Sequence, residues 1–177
     1  VPVARLKEAR LGVEQWSTFA TVTGGAAAGL TGLLFVAVSI RIEAIAKSQE
    51  LRNRAAQTLT LFVTVLLVTS VLSIPDQSER LLGLELAVIG VLAAVSHVIL
   101  DRRAKAASSE GQDSVTNLAS ILDAVAPNAI TSVLLLVAGV LLVFGLHAGL
   151  DVLVVPVLAA LVGGVVSAWL LLTKIAE

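Results

Sequence analysis

Residues 16–40 read WSTFATVTGGAAAGLTGLLFVAVSI and carry no charge. At 1.5 Å rise per residue a helix of that length crosses a bilayer hydrocarbon core of roughly 30 Å. Ala20, Gly24, Ala28 and Gly32 recur every four residues within it, and Gly25 and Gly29 recur beside them. A rotation of about 100° per residue gathers these six positions on one side of the helix. Phe19, Leu30, Leu33 and Leu34 fall on the opposite side. Lipid tails are as apolar as leucine, so helices in a membrane associate where small side chains let their backbones come close. The stretch therefore predicts a membrane-spanning helix with a face shaped for another helix.

Four more apolar runs follow, at about 55–74, 81–100, 128–146 and 152–173. The chain of 177 residues is 57% hydrophobic and only 14% charged, against about 25% charged in soluble domains. Its mean hydropathy is +0.97. The expected fold is all-α, a single integral membrane bundle of five transmembrane helices covering residues 1–177. Two amphipathic surface helices flank the spans, at 3–15 and at 114–126, the second ending before Pro127. The polar run 101–113, DRRAKAASSEGQD, reads as a loop. The charged N-terminal run shows no small-residue cleavage site and does not read as a removable signal peptide.

Residues 41–54, 101–126 and the C-terminal segment together hold eight of the twelve Lys and Arg residues. The excess of positive charge on cytoplasmic loops places these segments in the cytoplasm and the N-terminus outside. The basic residues Arg5, Lys7 and Arg10 fit that orientation poorly. A four-span arrangement, with one segment dipping into the bilayer, is the alternative. The Arg, Ala, Gly and Val bias suggests a bacterial source and hence the inner (plasma) membrane.

Polar residues inside the spans are few. Asn53, Gln57, Thr60 and Thr64 cluster on one side of the second span. They form either a set of self-bonded helix hydroxyls and cross-helix contacts or the wall of a wet path. Glu85 lies about one turn inside the third span, where it can reach the interface and pair with Arg80. His97 lies at the other end of that span, before Asp101, Arg102 and Arg103. An ionisable group within a membrane is a functional candidate by default. In the fifth span Ala160, Gly164 and Ala168 step by four and Ala159, Gly163 and Ser167 step beside them, so a second small-residue ladder answers the first.

Conventional chemistry finds little footing. The chain has no cysteine, which removes disulfides, thiolate metal sites and cysteine catalysis. No phosphate-binding glycine loop, zinc-protease helix motif or intramembrane Ser–His or Ser–Lys pair is present. His97 has no second histidine or cysteine at ligand spacing. The sequence therefore predicts no enzyme, no metal, no cofactor and no nucleic-acid partner.

The run ending in GLTGLLFVAVSI, followed by RNRAAQTLTLFVTVLLVTS at 52–70 and a proline-containing turn, resembles small multi-span bacterial membrane proteins of uncharacterised role. The resemblance covers roughly the first half of the chain and implies no activity. The expected function is that of a non-enzymatic assembly or accessory subunit. It would pack through Gly24, Gly25, Ala28, Gly29, Gly32, Ala160, Gly163, Gly164 and Ala168, as a homo-oligomer or within a larger membrane complex. The alternative is an oligomeric ion channel or small-solute transporter, lined by Asn53, Gln57, Thr60 and Thr64 and titrated at Glu85 or His97.

Overall fold

A computed structural model describes residues 2–40, 42–108 and 117–174, and every regular element in them is a helix. These are α1 (Pro2–Ile40), α2 (Ile42–Lys47), α3 (Gln49–Leu72), α4 (Glu79–Ser108), α5 (Asn117–Val143) and α6 (Ala148–Lys174). Four segments are long and apolar enough to cross a membrane: Trp16–Ile40, Leu51–Leu72, Glu79–Arg103 and Ala148–Leu170. The described apolar stretch of α5, Ala129–Val143, is shorter.

Several boundaries differ from the sequence expectation. Residues 3–15 are the first turns of the continuous helix α1 and not a separate element; their side chains lie outside the described ones. Residues 101–108 of the expected loop are helical, because α4 continues to Ser108, and residues 109–113 lie outside the described ones. Its extension, DRRAKAAS, consists largely of Ala, Arg and Lys and lacks Gly and Pro, so nothing stops the helix there. Residues 114–116 lie outside the described ones. From Asn117 the expected surface helix is continuous with the fourth apolar run, and the backbone stays helical through position 127. A proline removes one helical hydrogen bond, and here the turns on either side of it still propagate as one helix.

The breaks that do occur have local causes. Ser48 is extended (φ −115°, ψ 117°), and its side chain accepts a hydrogen bond from the Leu51 N–H, capping α3. The α3–α4 turn passes through Asp76 at φ 55°. At the end of α5, Gly145 takes φ 75°, its N–H bonds the Leu142 carbonyl at 2.9 Å, and the Leu146 N–H bonds the Leu141 carbonyl at 2.9 Å. This pair of bonds satisfies the last carbonyls of the helix and turns the chain into α6.

The bundle is built around α3, which packs against α1, α4 and α6, while α5 lies between α4 and α6. Half of the α3 span is buried (50%), against 17% of the α1 span. Leu61, Phe62, Val65, Val68 and Leu72 of α3 are buried, together with Leu86 and Ala93 of α4, Leu135, Ala138 and Leu142 of α5, and Leu153, Val157 and Ala160 of α6. The outer surface is apolar as well: Val22, Leu33, Leu84, Leu92, Val133, Val155 and Val162 are all exposed. An exposed apolar surface of this extent is the one a lipid belt requires.

Glycines set the closest helix approach. A Cβ added at Gly83 on α4 would lie 2.7 Å from the Gly139 carbonyl oxygen and 2.7 Å from the Val143 nitrogen on α5. One added at Gly139 would lie 2.7 Å from the Gly83 oxygen and the Ala87 nitrogen. The two backbones are in contact there, with no flexible side chain between them to give way. Gly149 does the same for α6, its added Cβ falling 2.7 Å from the Ala138 oxygen of α5. Gly139→Ala is therefore predicted to destabilise the bundle by about 1–3 kcal/mol, the usual cost of overpacking, read as a lower unfolding midpoint in detergent. Gly29→Ala, where a Cβ meets nothing within 4 Å, should leave that midpoint unchanged or raise it, by up to about 1 kcal/mol of added helix propensity.

Candidate functional site

The small-residue ladder of α1 does not sit on one contact. Its inward side is Ala20, Thr23, Ala27 and Leu34, all buried. Gly24 borders that side, and an added Cβ would lie 2.8 Å from Thr69 Oγ1 of α3. Gly25, Gly29 and Gly32 have nothing within 4 Å of an added Cβ, and Gly25, Ala28, Gly29 and Gly32 are all exposed. The ladder thus straddles the edge of the bundle, with most of it turned outward.

The α6 ladder is turned inward. Ala160 and Gly164 are buried, and Gly163 and Ala168 are half-buried. The Gly164 face receives the Phe62 ring of α3, which fills the space that any side chain at 164 would need. The two ladders are not each other's main partners: α1 lies chiefly on α3 and touches α6 less.

The polar residues separate into two sets. Thr60 and Thr64 bond their own helix, Thr60 Oγ1 donating to the Ala56 carbonyl at 2.8 Å and Thr64 Oγ1 to the Thr60 carbonyl at 2.7 Å. Such i−4 back-bonding is how a hydroxyl is satisfied inside a membrane helix without a partner helix. Around Thr64 the neighbouring surface is Val65, Val68, Leu135, Pro156 and Val157 with Thr131, an apolar setting between α3, α5 and α6.

The second set lies nearer the end of the bundle that carries Asp101. Gln57 Nε2 donates to Asp101 Oδ1 at 2.7 Å, linking α3 to α4. One turn back on α3, Asn53 is 6% exposed; its Oδ1 accepts from Gln49 Nε2 at 3.4 Å, and its Nδ2 has no hydrogen-bond partner among the described residues. One turn back on α4, His97 is 4% exposed; its Nδ1 lies 3.4 Å from Ser132 Oγ of α5, and its Nε2 has no partner among the described residues. Of the side chains expected from sequence, Asn53 and Gln57 on α3 and His97 on α4 therefore lie toward the same end of the bundle, with Gln57 bonded to Asp101 and His97 close to Ser132. Asp101 and Ser132 were not legible as their partners, because only the α3–α4–α5 register brings them there.

At the opposite end Glu85 is half-buried and its Oε2 accepts from Gln77 Nε2 of the α3–α4 turn. The expected pairing with Arg80 is replaced by this turn amide. Glu79 Oε1 meets His147 Nδ1 at 2.9 Å, joining the two turns on that side. Among the described residues no three His, Asp or Glu side chains gather as a metal site would require.

Comparison of the chain with protein-family models, with curated proteins and with solved structures finds no match. The resemblance noted in the sequence thus brings no family with it, and function is argued from the geometry alone.

The two polar sets should respond differently to substitution. Gln57→Leu leaves the Asp101 carboxyl without its amide donor and is predicted to cost about 1–3 kcal/mol. Thr64→Val removes a hydroxyl that bonds only its own helix and should cost less than about 1 kcal/mol. Equilibrium unfolding of the two variants in the same detergent measures the difference.

Proposed function

We propose that this chain is a non-enzymatic integral membrane protein that works by assembly, docking a second copy or another membrane subunit through the outward small-residue face of α1. The observation that carries this reading is the open space over Gly25, Gly29 and Gly32 on the least buried of the four spans. A helix needs no glycine to face lipid, and Leu or Val fills such positions elsewhere on this surface, as at Val22 and Leu33. Glycine costs up to about 1 kcal/mol relative to Ala in a helix interior, a cost that close approach of a partner backbone offsets.

In this reading α5 crosses the bilayer as a fifth span, since it lies between α4 and α6 and its turn into α6 is short. Residues 41–54 and 101–126 face the cytoplasm of a bacterial inner membrane, following the Lys and Arg distribution. The channel or transporter reading draws on one specific observation, the two buried polar atoms of Asn53 and His97. The self-bonded state of Thr60 and Thr64 weighs against extending that polar series through the bundle.

Gly29→Leu is the test. It is predicted to reduce the assembled mass in mild detergent, measured by light scattering on a sizing column, with helix content unchanged. An assembled mass equal to that of the unsubstituted protein would sink the proposal.

A further inference from the structure

His97 and Asn53 pose a common physical problem. Each is more than nine-tenths buried, and each holds a nitrogen, His97 Nε2 and Asn53 Nδ2, with no hydrogen-bond partner among the described residues. A buried polar group without a partner is costly, and in native proteins such groups are met by ordered water when no protein group reaches them. Both stand toward the same end of the α3–α4–α5 bundle, because the Gln57–Asp101 bond fixes the level at which α3 and α4 meet.

Along α4 exposure falls inward from that end: Arg102 and Arg103 are exposed, Asp101 is half-buried and His97 is buried. On α3 Gln57 is half-buried and Asn53 is buried. Six residues of helix separate His97 from Arg103, about 9 Å by helix rise. One turn deeper the series ends. Ala93 of α4, Leu61 and Val65 of α3 and Leu135 of α5 are buried and apolar, and Thr64 has spent its hydroxyl proton on its own helix.

We infer that water enters the bundle from the Asp101 end through a closed inlet bounded by Asn53, Gln57, Asp101 and Ser132, and that the inlet ends at His97. The ligand of this site is water, held by His97 Nε2 at the inner limit and by Asn53 Nδ2 nearer the mouth. Among the described side chains, the charged ones flanking it along the chain are Arg52 and Arg54 of α3 and Asp101, Arg102 and Arg103 of α4; residues 129–143 of α5 contain none. The inlet is not a pore, because the apolar layer at Leu61, Ala93 and Leu135 closes it. The inference rests on the membrane reading of the chain and not on the assembly proposed above.

The chain contains only two histidines, which makes the test direct on the unsubstituted protein. With nitrogen-15 histidine in lipid bilayers, solid-state NMR reads transfer of magnetisation from water protons to the ring nitrogens. His147, 75% exposed at its side chain, is the positive control, and His97→Gln assigns the second signal. Transfer to both rings is expected; transfer to His147 alone would overturn the inlet. The absence of native cysteine supplies a second measurement. Asn53→Cys should react with a charged, membrane-impermeant thiol reagent from the same side as Glu43→Cys, and Thr64→Cys should react from neither side. An unreactive Asn53→Cys would contradict the mouth of the inlet, and a Thr64→Cys as reactive as Asn53→Cys would contradict its closure.

Discussion

The contact between the α4 and α5 backbones at Gly83 and Gly139 is the constraint on which the rest of this bundle depends. Each glycine occupies the space in which the other's Cβ would stand, with backbone atoms at 2.7 Å from either added carbon. In a membrane no hydrophobic force draws helices together, so attraction comes from van der Waals contact and interhelical hydrogen bonds at short range. The glycine contact fixes how deeply α4 and α5 interlock. Gly149 then brings α6 onto α5, and α3 closes the bundle with the Phe62 ring against Gly164 and the Gln57 amide on Asp101. The polar series at Asn53, Gln57, Asp101 and His97 follows from the same register: sliding α4 by one turn would separate Gln57 from Asp101 and His97 from Ser132.

Against this interlocked core α1 stands apart. It meets the bundle through Ala20, Thr23, Gly24, Ala27 and Leu34 and carries Gly25, Gly29 and Gly32 on the other flank. The division of small residues is consistent with two tasks. Those on α4, α5 and α6 hold the chain to itself, and Gly25, Gly29 and Gly32 of α1 have open space beside them, the space that the proposed docking uses. Thr21, Thr23, Thr31 and Ser39 of α1 all bond their own helix, at 2.6–2.8 Å, so the outward face presents shape and almost no free hydrogen-bonding capacity. Recognition there would depend on backbone proximity.

Much of the fold was legible in the sequence, because the length of an uncharged run is a local property. The cores of the four candidate spans fell where the apolar runs lie, and the turn at 73–78 was announced by Pro75, Asp76 and Ser78. Ends were less legible. Whether DRRAKAAS is loop or helix depends on propensity where polarity says nothing, and the helix at 117–143 passes a proline that would stop a weaker one. Faces were least legible. The ladder Ala20–Gly24–Ala28–Gly32 is plain in the sequence, but which flank meets α3 is set by contacts with Thr69 that periodicity cannot supply. The α4–α5 contact rests on single glycines, Gly83 and Gly139, whose pairing across two helices leaves no periodic signal of the kind the four-residue ladders carry.

The proposed docking requires the outward face of α1 to be occupied in the native membrane. Native mass spectrometry of the protein, extracted mildly from its own membrane, tests that occupancy. A discrete complex heavier than the 18.2 kDa chain, either a multiple of it or a fixed combination with another subunit, is the predicted result. A spectrum containing only the 18.2 kDa chain with bound lipid would contradict it.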